Sequence, residues 1–321
     1  MTDKNNNKPP LPGFTPTRYL APRHWPTWIG LGLLRAAATL PYAWQLRLGA
    51  GAGRLLYYAL PGRRRIAAIN LRLCLPELDD GDRTRLLKRH FRASGIAVFE
   101  TALSWWGDER RLRELAHVHG QEHLQEALDR GKGVILLSGH FTSFEIGGRL
   151  LSLFQPIQFM YKKQRKNPLY EAITLRVRTR IYRRAVKHSD ARGMVRGLRE
   201  NRVCWYLPDQ DLGRRQSVFA PFMGISAATT IAPARFARMT GAAVVPYYPL
   251  RRDDGTGYDL HILPAWNDFP SGNDEADAAR INQFLEGATR ERPEQYLWLH
   301  RRFKTRPDGE PPIYPKRRKR G

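Results

Sequence analysis

The part of the sequence best suited to chemistry is a histidine followed five residues later by a glutamate. His140 and Glu145 lie in the segment SGHFTSFEIGG, residues 138–148. If His140 lies in a loop and Glu145 in the first turn of the next helix, the carboxylate can reach the imidazole, fix its tautomer and stabilise its charged form. The second ring nitrogen can then take a proton from a hydroxyl, a step worth roughly 10²–10⁴-fold in rate. On residue types and spacing alone, a structural histidine that caps a helix fits equally well.

The elements around this segment are predicted from its apolar spacing. The continuous apolar run Val134–Leu137 is typical of a strand buried on both faces, and the spacing after Ser143 is helical. Thr142 or Ser143 can cap that helix, which puts Glu145 in its first turn. His140 then follows the end of a buried strand, where α/β proteins usually place their sites.

The rest of the chain alternates strands with helices, which predicts the α/β fold class. We expect a mixed, partly parallel sheet flanked by helices, preceded by a helical segment at the amino end. The predicted organisation is a polar tail (1–22), a membrane-anchoring helical segment (23–62), a catalytic domain (63–308) and a basic tail (309–321). The four further predicted strands are PIQFMYKK, RVCWYLPDQD, GAAVVPYYPLRR and YDLHILPAW.

Residues 24–60 are the most apolar part of the chain. From Trp25 to Leu46 the only charged residue is Arg35, and aromatic residues lie near both ends of this stretch. A membrane span needs roughly 20 predominantly apolar residues, which this stretch just provides, although a central arginine disfavours it. We expect membrane anchoring, as a short span or as a helix embedded in the interface. The alternative is an apolar helix packed on the domain.

The chain of 321 residues carries a net charge of +24, which favours binding to polyanions. Nucleic acid, acidic proteins and anionic lipid all qualify, and a merely solvated basic surface is the alternative. No zinc-finger or RNA-recognition pattern accompanies the basic clusters, such as Lys316–Arg320.

Two cysteines, Cys74 and Cys204, exclude a disulfide framework, and their apolar surroundings predict that they pack in the interior. His117, His119 and His123 lack the accompanying ligands of a metal site, so none is predicted.

The H-x₄-E element resembles the H-x₄-D/E motif of the glycerolipid acyltransferase superfamily. Residues 16–315 resemble one of its branches, the late acyltransferases of lipid A biosynthesis. The segments that carry the resemblance are HWPTWIGLGLL, RRRIAAINLRLCLPE, WYLPDQD, SVFAPFMGISAATT, ARMTGAAVVP and PEQYLWLHRRFKTRP.

This resemblance implies transfer of a fatty acyl chain from acyl carrier protein to a hydroxyl on a hydroxyacyl chain of Kdo-bearing lipid IV-A. A lauroyl chain is expected, as in the enzymes of the first secondary acylation. The alternatives are the myristoyl transfer that follows, or acylation of another glycolipid or a glycerophospholipid. A non-enzymatic basic protein that binds nucleic acid or membranes is the contrasting hypothesis.

The resemblance also implies roles for individual residues. His140 is the general base and Glu145 its orienting partner. No covalent nucleophile is needed because a thioester is already activated, and no cofactor or metal is expected. The expected partners are acyl carrier protein, Kdo-lipid IV-A and anionic membrane lipid, without nucleic acid, at the cytoplasmic face of the cell inner membrane. For Asp209–Asp211 a structural turn is the alternative, and for the carboxyl-terminal residues, with His300 and Arg302, a structural ion-pair network. The expected substrate-binding residues are Asn167, Asp209, Gln210, Asp211, Arg301 and Lys304.

Overall fold

A computed structural model of the chain describes residues 13–164, 166–187 and 190–315. Eleven α-helices and nine strands lie within these ranges. The helices are α1 (Trp25–Ala37), α2 (Tyr42–Ala59), α3 (Pro61–Cys74), α4 (Asp80–Trp106), α5 (Glu109–Glu114), α6 (Gln121–Asp129), α7 (Phe144–Leu151), α8 (Pro168–Ile181), α9 (Ala191–Arg199), α10 (Ala232–Thr240) and α11 (Asp274–Glu291). The strands are β1 (Ala116–His119), β2 (Val134–Leu137), β3 (Ile157–Tyr161), β4 (Arg184–Lys187), β5 (Val203–Tyr206), β6 (Ser217–Phe222), β7 (Ile225–Thr230), β8 (Ala243–Arg251) and β9 (Tyr258–Ile262).

Seven strands form one mixed sheet in the order β1-β9-β8-β2-β5-β3-β4. The five strands from β8 to β4 are mutually parallel, whereas β9 runs antiparallel to β8, and β1 pairs with β9 in parallel. Every residue of β2 and of β5 is buried, as expected of central strands covered by helices on both faces. The predicted α/β class, with a partly parallel sheet flanked by helices, is confirmed.

One helix end and four strands differ from the sequence prediction. Helical spacing predicts a helix continuing to Ala185, but α8 ends at Ile181 and the edge strand β4 follows. Tyr182 adopts an extended conformation at this point, and its buried ring stacks on Phe159 of β3. Burial of this aromatic ring explains why the helix stops where local spacing would continue it. Strand β1 and the hairpin of β6 and β7 were likewise not predicted.

The apolar amino-terminal stretch forms two helices instead of one. Pro41 precedes α2, and α1 has 13 residues, so it is about 20 Å long against a hydrocarbon core of about 30 Å. Within the described ranges, no helix combines the length and the apolar character needed to cross a membrane. The expected span therefore gains no support, and an interfacial helix stays a prediction.

Helix α2 is fixed to α4 by direct contact between the two backbones. A Cβ atom added at Gly53 would lie 2.2 Å from the carbonyl oxygen of Phe91, and one at Gly95 would lie 2.3 Å from that of Gly49. Only glycine permits this approach, which explains the glycine-rich sequence of α2. The helix thus packs on the domain along its glycine face and leaves its other face exposed.

The two cysteines pack in the interior, as predicted. Cys74 lies on α3 and Cys204 on β5, and both are buried and free of disulfides. Burial raises the pKa of each thiol to about 12, so neither is ionised near neutral pH.

Candidate active site

The site forms where the adjacent strands β2 and β5 end. Leu137 of β2 pairs with Tyr206 of β5, and the two strands are parallel. His140 follows Leu137 by three residues, and Asp209 follows Tyr206 by three. Because parallel strands in register leave the sheet at the same edge, the two residues are brought side by side.

His140 and Asp209 form a closely bonded pair. One carboxylate oxygen of Asp209 lies 2.5 Å from Nδ1 of His140, and the other accepts a hydrogen bond of 2.8 Å from the His140 backbone amide. The Asp209 side chain is buried, whereas 22% of the His140 side chain is exposed. Although burial works to raise the pKa of Asp209, the charge and hydrogen bonds of His140 outweigh it and hold that pKa at about 2.

The hydrogen bond between Asp209 and His140 fixes the tautomer of the imidazole. An ionised carboxylate only accepts hydrogen bonds, so Nδ1 of His140 carries the proton and Nε2 holds a lone pair. Within the described residues, Nε2 forms no hydrogen bond, and the ring of Phe144 packs beside the imidazole at 5.6 Å. A base that is oriented and charge-stabilised in this way can take a proton from a substrate hydroxyl.

Glu145 does not orient His140, contrary to the expectation from the sequence. It lies in the first turn of α7, as predicted, but its side chain is buried against α4 and α8. One carboxylate oxygen accepts from Nε1 of Trp105 and the other from the guanidinium of Arg178, each at 3.0 Å. The partner of His140 in the structure is Asp209, and Glu145 belongs to a separate buried ion pair.

Arg178 is held in this ion pair from two sides. Its guanidinium also lies over the ring of Phe159, 4.8 Å from the centroid. Burial alone would lower the pKa of Arg178, but the carboxylate of Glu145 raises it above its ordinary value. Arg178 therefore keeps its charge, and its contact with Glu145 joins α7 to α8.

Comparison with known proteins decides the family. The sequence model of the family described as bacterial lipid A biosynthesis acyltransferase matches residues 12–305. The chain belongs to this family. It is 38% identical over 305 residues to a lipid A biosynthesis lauroyltransferase of Escherichia coli (strain K12), covering 95% of this chain and 99% of the relative. A palmitoleoyltransferase of the same organism is 37% identical over 92% of this chain and 96% of its own length, and a myristoyltransferase is 31% identical over 99% and 98%.

In this acyltransferase, Asp211 holds the carboxyl-terminal segment against the site. Its carboxylate accepts from the backbone amide and the hydroxyl of Thr305, at 2.6 and 2.8 Å, and from the Gly213 amide. Its own backbone amide donates to Nε2 of His300, and Nζ of Lys304 lies 3.6 Å from the carboxylate. Burial lowers the pKa of His300 to about 4, so this imidazole is neutral and accepts that hydrogen bond.

Asp211, Gln210 and Lys304, all predicted to bind substrate, differ in how accessible they are. The carboxylate of Asp211 is occupied by contacts within the protein. Lys304 contacts Asp211, but half of the Lys304 side chain stays exposed. Gln210 lies between the two buried aspartates, is itself partly exposed, and forms no side-chain hydrogen bond with any described residue. Of the three, Gln210 and Lys304 are the ones still accessible to a ligand.

The paired arginines Arg301 and Arg302 have opposite environments. Arg302 is buried and donates to the carbonyl of Ala228 at 2.7 Å and to the side chains of Thr229 and Asn282. It therefore fixes the carboxyl-terminal segment to the β6–β7 hairpin through hydrogen bonds to neutral groups, and not through the ion-pair network given as the structural alternative. Arg301 is partly exposed and lies over the ring of Tyr314. The basic cluster Lys316–Arg320 lies outside the described residues.

Asn167 acts as the cap of a helix. Its side-chain oxygen accepts from the Tyr170 amide at the start of α8, and its amide nitrogen donates to the hydroxyl of Thr27 on α1. Asn167, which the sequence predicts to bind substrate, thus forms hydrogen bonds within the protein that join α1 to α8. It also lines a cavity of about 510 Å³ together with Arg18, Arg23 and Lys166.

The side chain at the start of α7 does not cap the helix as predicted. Ser143 occupies the N-cap position, but its hydroxyl donates to the carbonyl of Pro249 on β8 at 2.8 Å. The glycines of the motif serve the same packing, because a Cβ atom at Gly147 or Gly148 would lie 2.3 Å from Pro249 or from the ring of Trp205. Helix α7 therefore lies directly on the sheet, which fixes the loop that carries His140.

The pairing of His140 with Asp209 and the support from Arg178 were missed at the level of sequence. A signal for the first existed, since SGH and LPDQD each follow a predicted buried strand. Whether those strands are neighbours depends on the order of the sheet, which the sequence pattern does not contain. Arg178 is one of several arginines in α8, and its spacing does not distinguish it from the others.

Proposed function

We propose that this enzyme transfers a lauroyl chain from acyl carrier protein to a hydroxyacyl hydroxyl of Kdo-bearing lipid IV-A, with His140 as the general base. Nε2 of His140 takes the hydroxyl proton as the oxygen attacks the thioester carbonyl. Asp209 stabilises the imidazolium that forms, and the proton then passes to the leaving thiolate as the carbon–sulfur bond breaks. The observation that carries this proposal is the hydrogen-bonded pair of His140 and Asp209 at the edge of the sheet.

The choice of the first secondary acylation is supported by the relatives. The lauroyl and palmitoleoyl transferases are 38% and 37% identical to this chain, and the myristoyltransferase is 31% identical. Transfer of a myristoyl chain in the following step is the second candidate. One methylene is worth only about 1–3 kcal/mol of discrimination, so the donor must be identified by direct competition.

Association with the cytoplasmic face of the inner membrane is part of the proposal. Large apolar side chains are exposed along one face of α1, at Trp25, Ile29 and Leu33, which are spaced four residues apart. Helix α2 exposes a second apolar face, opposite the glycines that contact α4, with Trp44, Leu48, Leu55 and Tyr58. Together with the charge of +24, these faces suit an interface rich in anionic lipid, and the same charge suits an acidic carrier protein.

The experiment is an acyl-transfer assay with detergent-solubilised protein and the tetra-acyl Kdo-lipid A precursor. Lauroyl, palmitoleoyl and myristoyl thioesters of acyl carrier protein compete in one reaction, and mass spectrometry identifies the product. We expect addition of one lauroyl chain by the wild type, its loss in His140→Ala, and wild-type activity in His119→Ala, whose histidine lies on β1 at the far edge of the sheet. A parallel reaction contains the penta-acyl intermediate as acceptor, and preference for this acceptor and for the myristoyl donor would favour the second candidate. Equal transfer by His140→Ala would remove His140 as the base.

A further inference from the structure

A basic cavity lies at the end of the domain away from His140. It has a volume of about 580 Å³ and lies where α4, α7 and α8 end, next to Trp106, Ser152 and Ile181. His140 precedes the other end of α7, whose eight residues extend about 12 Å. The cavity is therefore separate from the reaction centre, and four arginines line it: Arg35, Arg113, Arg149 and Arg180.

The lining of this basic cavity contains more arginines than carboxylates. The residues lining it include two carboxylates, and Asp108 is engaged in capping α5, while Glu109 pairs with Arg149 at 2.9 Å. Arg149 is 8% exposed, and its Nε is buried without a hydrogen-bond partner among the described residues. Burial and the neighbouring charges of Arg149 and Arg35 lower the pKa of Arg180, and the charge of Glu109 offsets this only in part. A bound anion would relieve this repulsion.

An apolar groove of about 480 Å³ opens from the basic cavity. The two share Arg35, Trp106 and Arg180 in their walls. The groove runs between α1 and α8, and its volume falls in the range of roughly 300–1,000 Å³ typical of ligand sites. Its apolar walls are formed by Phe14, Trp28, Leu31, Gly32, Ile173 and Val177.

We propose that the basic cavity and the apolar groove together bind one anionic phospholipid of the membrane, with its phosphate among the arginines and an acyl chain between α1 and α8. The charge excess selects an anion, and the groove that continues from it selects an amphiphile over a free anion. Because α1 also exposes an apolar face, the bound lipid would lie beside the face proposed to contact the membrane. This site is independent of the proposed acyl transfer, since it is detected by binding alone.

The test is native mass spectrometry of the full chain released from nonionic detergent. Phosphatidylglycerol and phosphatidylcholine with the same acyl chains are added at equal mole fractions, and inorganic phosphate is added in a third sample. We expect phosphatidylglycerol to be retained at a concentration at least 10-fold lower than phosphatidylcholine, and phosphate not to displace it at equal concentration.

Two variants with matched controls locate the lipid. Gly32→Trp fills the groove, and a Cβ atom at Gly32 meets nothing within 4 Å, so the helix tolerates it. Gly30→Trp is its control, on the same helix with equally open space but outside the groove. Arg35→Gln removes one cavity charge, and Arg72→Gln removes an exposed charge on α3. We expect roughly 10-fold weaker retention for Gly32→Trp and for Arg35→Gln, and wild-type retention for both controls.

Three outcomes would overturn the proposal. Equal retention of the two lipids would remove the selectivity for an anion. Displacement of phosphatidylglycerol by equimolar phosphate would indicate a site for free anions instead of an amphiphile. Wild-type retention by Gly32→Trp, with its fold checked by circular dichroism, would show that the acyl chain lies elsewhere.

Discussion

The proton on Nδ1 of His140 decides how this ring can act, and Asp209 holds it there. The carboxylate binds both Nδ1 and the backbone amide of His140, so it fixes the ring and the loop together. A residue that holds a base in one tautomer affects the rate far more than the stability of the fold. The carboxylate of Glu145, by contrast, accepts hydrogen bonds from Arg178 and Trp105, so it contributes to the packing of the helices and does not contact His140.

Replacing Asp209 by Asn tests the assignment of the orienting residue. Asn keeps the size of the side chain but can donate to Nδ1, which favours the wrong tautomer. We expect acyl transfer to fall about 10²–10⁴-fold while the melting temperature changes little. Activity near the wild-type level in a folded Asp209→Asn variant would contradict this role.

Replacing Glu145 by Gln tests the buried ion pair. Gln leaves the charge of Arg178 buried and uncompensated, so we expect the free energy of unfolding to fall by about 3–5 kcal/mol. The double variant Glu145→Gln/Arg178→Met should recover part of this loss, because it removes both charges. Glu77→Gln is the matched control, since Glu77 and Arg290 form a half-exposed pair worth about 0–1 kcal/mol. Equal effects in a denaturant titration of the two single variants would argue against the pair.

A buried histidine gives the fold a pH dependence. His90 on α4 is fully buried and donates from Nδ1 to the carbonyl of Glu294, and burial lowers its pKa from 6.5 to about 4. The unfolded chain binds the proton more tightly, so this stability is present above pH 6.5 and is lost as the pH falls towards 4. We expect the wild type to lose about 3 kcal/mol more than His90→Gln over that interval in chemical denaturation. Parallel curves for the two proteins would contradict this.

At the scale of elements, the contact between the backbones of α2 and α4, which we call the α2–α4 seam, determines where α2 lies. Contact of the α2 and α4 backbones removes the space for any side chain at Gly49, Gly53 and Gly95. The same principle holds for α7, whose glycines let it rest on β5 and β8. In both cases the small residue marks a helix that is positioned by its backbone.

Gly53→Leu tests the α2–α4 seam. The new side chain would meet the backbone at Phe91, so we expect α2 to separate from α4 and the melting temperature to fall, with a loss of at least about 1–3 kcal/mol. Gly51→Leu is the matched control two residues away, where a Cβ atom meets nothing within 4 Å. Thermal unfolding compares them, and similar melting temperatures for the two variants would contradict the seam.

At the scale of the whole molecule, the exposed apolar surface is concentrated in one region. Nine of the twelve large apolar side chains that are exposed among the described residues lie between Leu20 and Leu60. Monomeric proteins rarely leave so concentrated an apolar surface in water, and an interface rich in anionic lipid would cover it. The proposed catalytic pair, His140 and Asp209, and the proposed lipid site would then belong to a domain held at the membrane surface.

The variant Ile29→Asp/Leu33→Asp tests this association by flotation with vesicles of phosphatidylethanolamine and phosphatidylglycerol. We expect at least 10-fold weaker binding, because two charges replace apolar side chains on the exposed face of α1. Met239→Asp is the control, since Met239 is similarly exposed on α10. Unchanged flotation of the double variant would place the contact elsewhere, and wild-type binding should weaken as salt is raised.

Local patterns were sufficient to predict β2, the helix after it, the position of His140 beyond the strand and that of Glu145 in the first helical turn. These features could be predicted because each depends on residues that lie close together in the sequence. The family was also recognisable from the sequence, through segments spread over most of its length. The end of α8 was predicted wrongly, because burial of Tyr182 against β3 overrides the helical spacing.

What only the tertiary structure decided is which side chains meet. Asp209 pairs with His140 because β2 and β5 are neighbours, and strand order is set by packing across the whole sheet. Glu145 turns away from His140 because α4 and α8 bring Trp105 and Arg178 to its carboxylate. The sequence thus determined the fold class, the family and the candidate base, and the long-range contacts of the sheet determined the partner of that base.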